Sequence, residues 1–374
     1  MKFDVSSTAL LSRLQSISKV IASKNAIPIL DCILFELQGN KLIITASDSD
    51  TRMVTSIEVL NTKGSGMFAV TAKILLDPLK ELPEQPLSFE INEESMEILI
   101  HFENGKYNFI GQRGDTYPQQ KPLNEVNTSI EIAAQKLLNG VSRSLFATAD
   151  DELRPVMNGV YFDIQQENLT IVASDGHKLV RLRDLSIHSS ERASFILPKK
   201  PANLLRSVLA KETERVVVRF DENNAYISGS NFEMICRLIE GRYPNYNSVI
   251  PQENPYKVTI DRISLLNALK RVSVFSNASS SLVKLHVEQE ILVISAQDID
   301  YSTSAEEKLV CEFDGTELKI GFKATFLIEI LSNIASEHVI LKLADPSRAG
   351  LVVPTENEEN EDLLMLLMPM MLND

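Results

Sequence analysis

The chain has 374 residues, with 37 Lys and Arg against 51 Asp and Glu, giving a formal net charge of −14. Hydrophobic residues at 44% and charged residues at 24% are ordinary for a folded globular protein and exclude wholesale disorder. At roughly 100–200 residues per domain the length predicts two or three domains, and a pI near 5.0 excludes a chain that is basic on average, as bare nucleic-acid binders are.

Met1-Lys2-Phe3-Asp4 opens with an acid where a secretory leader needs an apolar stretch. Leu10, Leu11 and Leu14 form the stripe of an amphipathic helix, and residues 8–24 around them hold Arg13, Lys19 and Lys24 but no acid. Strands are predicted at 32–37 and 42–45, the second running into Thr45-Ala46-Ser47-Asp48. A helix over 71–82 balances Lys73 and Lys80 against Asp77 and Glu81. A strand at 97–102 precedes Gly114-Asp115-Thr116-Tyr117-Pro118 and a joint of proline and polar residues over 118–128.

The same order then begins again. Leu137, Leu138 and Val141 mark a helix within 133–146, whose charges are Lys136 and Arg143. A strand ends in Val172-Ala173-Ser174-Asp175, a helix over 198–211 carries Lys199, Lys200, Arg206 and Lys211, and a strand follows at 216–220. Gly241-Arg242-Tyr243-Pro244 leads into a second joint over 244–257. The third round has Leu265, Leu266 and Leu269 in a helix over 262–272 with Arg262, Lys270 and Arg271. Its strand at 292–295 ends in Ser295-Ala296-Gln297-Asp298, and its second helix over 322–335 sets Lys323 against Glu329. The apolar run 363–372 closes the chain and is far short of the ~20 residues of a membrane span.

The first helices begin 127 and 128 residues apart, the aspartates ending the strands 127 and 123, and the two prolines 126. Three markers share a period of about 125 residues, a third of the chain. The predicted fold is therefore α+β: three tandem copies of one domain, each with about two helices and six to eight strands, over 1–122, 128–250 and 257–374. The six helical segments sum to +12 and the remainder to −26, and four of the six contain no acid. Such segregation predicts helices that face a polyanion together while the acidic sheets face away. Without a recognition helix or stacking platform, contact is expected with phosphates and not with base edges.

No cofactor is expected, since neither G-x-x-x-x-G-K-[ST] nor G-x-G-x-x-G occurs. His101, His177, His188, His286 and His338 are scattered, which leaves no metal-ligand spacing. Cys32, Cys236 and Cys311 read as buried thiols of a reducing compartment, so a cytoplasmic location is expected.

Several segments resemble the bacterial DNA polymerase III β subunit, the sliding clamp. They are Met1-Lys2-Phe3, Ile27-Pro28-Ile29-Leu30, Asn158-Gly159-Val160, Ala173-Ser174-Asp175-Gly176-His177-Lys178-Leu179, Glu240-Gly241-Arg242-Tyr243-Pro244-Asn245-Tyr246 and Met368-Pro369-Met370. The resemblance spans the whole chain. It implies a non-catalytic processivity factor: two three-domain protomers closed head to tail into a ring, helices lining the hole and sheets outside, encircling duplex DNA without sequence specificity.

For this sequence the resemblance implies DNA contacts from Lys24, Lys73, Arg154, Lys199 and Lys200. It implies a pocket between the second and third domains that takes peptides of the polymerase catalytic subunit, the clamp loader and other proteins with a clamp-binding motif. The matching positions are Met157, Ser174, Gly176, His177, Lys178, Leu179, Pro244 and Val249, closed by Met368, Pro369, Met370, Met371 and Leu372. Ring closure would join Tyr107 and Phe109 to Val274, Phe275, Glu306 and Glu307 of a second copy. Two positions depart from the family pattern: Met371 stands where relatives often have arginine, and Ser248 where some do.

Two rival readings are weaker. A hydrolase would draw Ser174, Asp175 and His177 from one tetrapeptide, whereas triads are assembled from distant segments. A repeat scaffold that binds proteins but not DNA leaves the charge segregation unexplained.

Overall fold

Six α-helices form among the described residues, and each begins directly after a strand: α1 Ser7–Ile17, α2 Ala72–Glu81, α3 Ala134–Leu145, α4 Lys199–Leu209, α5 Arg262–Val272 and α6 Ala324–Ser332. The computed structural model describes residues 1–119, 128–313 and 315–372. Most of the first expected joint, and Asn373 and Asp374, therefore lie outside the described residues. Side-chain caps start two of the helices, Ser6 Oγ accepting from the Ala9 N–H at 3.1 Å and Asp261 Oδ1 from the Ser264 N–H at 2.7 Å.

Helix α1 stops at Ile17 because its buried stripe of Leu10, Leu14 and Ile17 ends there. A 3-10 turn over Ser18–Val20 follows, so Lys19 and Lys24 stand beyond the helix. Lys211 and Lys323 also fall outside α4 and α6. Those four lysines lower the net charge of the helices proper from the expected +12 to +8.

Chain contacts divide the molecule into two compact units: 1–138 with 200–238, and 139–199 with 239–374. The first unit carries a nine-stranded antiparallel sheet in the order Gln112–Arg113, Gly66–Thr71, Cys32–Gln38, Lys41–Ser47, Thr51–Glu58, Glu233–Arg237, Asn224–Ser228, Arg215–Phe220, Thr128–Ala133. Its five-stranded sheet runs Leu60–Lys63, Lys2–Ser6, Pro86–Ile91, Glu97–Phe102, Gly105–Ile110. Period-two alternation turns one face of each sheet inward, where Phe3 stacks on Phe89 at 4.8 Å and Phe35 on Phe68 at 5.1 Å. Phe3 and Phe68, 6.4 Å apart, bridge the two sheets.

The second unit has an eight-stranded sheet in the order Ala193–Pro198, Gly159–Ile164, Leu169–Ser174, Lys178–Asp184, Glu361–Leu367, Gly350–Pro354, His338–Leu343, Tyr256–Asp261. Its four-stranded sheet runs Thr303–Val310, Ile291–Asp298, Leu282–Glu288, Leu318–Lys323. Leu265, Leu269 and Val272 of α5 and Leu327, Ile330 and Leu331 of α6 pack on this sheet face, and each such burial is worth about 1.5–3 kcal/mol. At Gly140 in α3 a Cβ would lie 2.3 Å from Ile171 Cδ1, so the helix packs close enough on that strand for any larger residue to displace the isoleucine tip.

Both units join two repeats by strand pairing. In the first, Thr51–Glu58 pairs antiparallel with Glu233–Arg237, placing Met53 opposite Met234. In the second, Lys178–Asp184 pairs antiparallel with Glu361–Leu367, placing Leu182 opposite Leu363. The units accordingly cut through the middle repeat, each taking one of its sheets.

Candidate functional site

The aspartate that ends a strand in every repeat builds the next turn. Asp48 Oδ1 accepts from the N–H groups of Asp50 and Thr51, Asp175 Oδ1 from His177 and Lys178, and Asp298 Oδ1 from Asp300 and Tyr301. In the second repeat Ser174 Oγ also donates to the Lys178 carbonyl at 2.9 Å and accepts from the Gly176 N–H at 3.1 Å. Gly176 takes φ +92°, which a side chain would strain. Ser174 and Asp175 are thus spent on holding a hairpin turn, and the His177 ring faces Phe326 at 6.3 Å. A hydrolytic triad has no geometry here.

That turn anchors an apolar cluster in the second unit. Leu179 is buried with Val172, Ile196, Tyr243, Tyr246, Ile250, Leu351, Leu364 and Leu366. Tyr161 stacks on Tyr243 at 4.6 Å, and the Tyr246 hydroxyl donates to Asp163 at 2.8 Å. Burial and that carboxylate push the Tyr246 phenol up to about 12, so it stays a neutral donor. Val249, in the 3-10 turn Tyr246–Val249, is exposed between the clustered Tyr246 and Ile250, and Pro244 is exposed beside Tyr243. Met157 is buried in the 3-10 turn Pro155–Met157.

After the strand Glu361–Leu367 the tail crosses the turn. The Met368 N–H donates to the His177 carbonyl at 2.8 Å, and the Met370 N–H to the Gly321 carbonyl at 2.8 Å. Met368 and Met371 are exposed, Pro369, Met370 and Leu372 partly so. Leu372 reaches a different place, a cavity of about 660 Å3 also lined by Leu282, Asn277 and Glu306. The Lys178 side chain points away from the open surface: its ammonium meets Glu329 at 2.7 Å and Asp175 at 3.4 Å and lies 4.1 Å from the centre of the Phe326 ring.

The five expected DNA contacts differ in their surroundings. Lys24, in the loop after α1, and Lys73, at the start of α2, are exposed with no carboxylate partner among the described residues. In the first unit Lys200 pairs with Asp48 and donates to the Val20 carbonyl at 2.8 Å. In the second, Lys199 meets Asp150 at 2.6 Å and Arg154 meets Asp151 at 2.8 Å. Other helical cations have structural duties: Arg143 pairs with Glu358 and Glu361, and Arg262 donates to the Leu331 carbonyl in the last turn of α6 and to the Ser336 carbonyl after it.

Every sheet ends in two outer strands, and two of these carry residues expected at the ring junction. Tyr107 and Phe109 lie on Gly105–Ile110, the outer strand of the five-stranded sheet. Glu306 and Glu307 lie on Thr303–Val310, the outer strand of the four-stranded sheet. Val274 and Phe275 are exposed in the 3-10 turn after α5. Arg271 grips Glu307 through two hydrogen bonds of 2.8 and 2.6 Å and holds its carboxyl below the usual range.

Metal-ligand atoms converge, among the described residues, at His286, Glu288 and Glu317 on the four-stranded sheet, where Lys319 already places a cation 3.2 Å from Glu317. No helix among them is long and apolar enough to cross a membrane.

Three consecutive matches cover almost the whole chain. Residues 1–121 match the N-terminal domain of the DNA polymerase III beta subunit, 131–245 its central domain and 247–371 its C-terminal domain. The chain belongs to the DNA polymerase III beta subunit family. It is 27% identical over 374 residues to the beta sliding clamp of Pseudomonas aeruginosa, covering all of both chains. To that of Staphylococcus aureus it is 24% identical, covering 98% of each. Among solved structures it superposes on the Pseudomonas aeruginosa sliding clamp bound to griselimycin with a TM-score of 0.93 at 26% identity. It superposes on the Thermotoga maritima beta subunit with a TM-score of 0.90 at 26% identity, again over the full length of both.

Within this family frame, sequence reasoning overlooked two sets of residues. Tyr161, Tyr246 and Ile250 complete the apolar cluster, and the Tyr243-Pro244-Asn245-Tyr246 segment was the available signal. Asp48, Asp150 and Asp151 partner the cations. Of these, only Asp48 stood out, and as a repeat marker rather than as a counter-charge.

Proposed function

We propose that the protein is the processivity clamp of a bacterial replicative polymerase, acting in the cytoplasm as a homodimeric ring around duplex DNA. Its three domains span 1–122, 128–250 and 257–374. The observation that carries this reading is the pattern of strand edges. Two of the three junctions that a cyclic repeat needs are made inside one chain, Thr51–Glu58 with Glu233–Arg237 and Lys178–Asp184 with Glu361–Leu367. Gly105–Ile110 and Thr303–Val310, each a terminal strand of its sheet and one in the first repeat, the other in the third, are the edges we assign to the missing junction. A second copy supplies each of these two edges with its partner, so two copies close head to tail.

A closed ring holds DNA by topology. Lysine and arginine contacts with phosphates then need be neither tight nor base-specific, and weak contacts permit sliding. The polymerase catalytic subunit, the clamp loader and other motif-bearing proteins dock by short apolar peptides on the surface around Leu179, Val249, Met368 and Met370. Flexible methionines suit a site that accepts several ligands. Tethering raises the polymerase's effective concentration at the primer end, which is the physical content of processivity.

The test is topological. Loaded on nicked circular DNA, the protein is expected to stay bound through gel filtration and to be lost once the circle is linearised. Equal retention on both forms overturns the ring.

A further inference from the structure

We propose that Asp150 is a built-in counter-charge that holds Lys199 off the DNA phosphates and so sets how weakly the clamp grips the duplex. The inference rests on the reading of Lys199 as a DNA contact. Three of the five cations assigned to DNA are already paired, each with an aspartate from a loop beside a helix start or turn: Lys200 with Asp48, Lys199 with Asp150, Arg154 with Asp151. Two of those aspartates have backbone duties. Asp48 closes its turn, and Asp151 accepts from the Leu153 N–H at 2.9 Å. Among the described residues Asp150 has none: its carboxylate is 81% exposed and meets the Lys199 ammonium at 2.6 Å.

A pair this exposed adds little to folding. It does place a negative charge at the first residue of α4, in a stretch that otherwise reads as a phosphate-facing cation cluster. To meet a phosphate, Lys199 must leave Asp150 or bring the carboxylate with it, and either course cancels most of one phosphate contact. The design fits a protein whose contacts must break as it slides.

Asp150→Asn keeps the side-chain shape and removes the charge. Binding of the full-length protein to a fluorescent duplex, followed by anisotropy across a salt series, is expected to tighten about threefold to tenfold at low salt. The slope of log K against log salt is expected to steepen by about 0.9, the increment for one added phosphate contact. Thermal stability should not move. In Asp150→Asn combined with Lys199→Ala, the gain is expected to vanish. If Asp150→Asn changes nothing while Lys199→Ala alone weakens binding, the counter-charge role is overturned and the DNA contact survives. If Lys199→Ala has no effect either, the DNA assignment itself fails. If the double variant keeps the gain, Asp150 acts by general repulsion and not through Lys199.

Discussion

At the scale of single residues, equivalent positions in the repeats differ between the junction that carries the apolar cluster and the one that does not. Ser174 pairs across its hairpin with Leu179, and Ser47 at the same place in the first repeat pairs with Arg52. Leu179 extends the apolar cluster on which the proposed peptide site rests, whereas a partly buried guanidinium would interrupt it. Gly321 is a second decisive position. A Cβ there would come 2.8 Å from the Met370 carbonyl oxygen and 2.8 Å from Leu372 Cδ2, and a backbone oxygen cannot swing aside. Gly321→Ala is expected to push the tail off its strand edge and to weaken partner-peptide binding about tenfold, or about 1.4 kcal/mol, by calorimetric titration. An unchanged affinity would show that the tail's seat on Gly321 does not matter to the site.

At the scale of elements, every helix starts where a strand ends, so caps must work without a linker. Asp261 caps α5, and its carboxyl is held below the usual carboxylate range by hydrogen bonds from the Ser264 hydroxyl and backbone N–H. A lowered folded value means the cap's contribution is full above the unfolded value of about 3.9 and is lost as pH falls through the lower folded one. Asp261→Ala is expected to cost about 1 kcal/mol in urea unfolding at pH 7. The difference from the parent protein should shrink as the pH is lowered towards 3; a gap that stays constant would mean that the charge is not what stabilises the cap. The strand positions were largely legible in the sequence, since alternation and β-branched runs mark half-buried strands. The strand expected at 97–102 is Glu97–Phe102 in the fold. The first helix was overextended because its basic tail, Lys19 and Lys24, continues past the apolar stripe that defines it.

At the scale of the whole molecule, the terminal strands Gly105–Ile110 and Thr303–Val310 carry the quaternary prediction. Val274 is 77% exposed in the single chain and Phe275 is 40% exposed, a cost that the proposed junction with a second copy would remove. Val274→Asp leaves the folded chain's core untouched and places a buried charge in the joined edge. It is expected to weaken dimerisation at least about tenfold, read by sedimentation across a concentration series, with the unfolding midpoint of the dissociated chain unaltered. A dimer as tight as the parent's would put the junction elsewhere.

Taken alone, the sequence determined the threefold repeat, the α+β class, the helices free of acids and the likeness to a clamp. These are encoded in local periodicity and in spacing along the chain. Only the tertiary structure decided that strands of neighbouring repeats pair, which strands end the sheets, and that the cations have partners. Lys199 and Asp150 are 49 residues apart in sequence, Lys200 and Asp48 152. An ion pair depends on distance through space, and no count of charges along a helix reports an aspartate that folding brings to it from another segment.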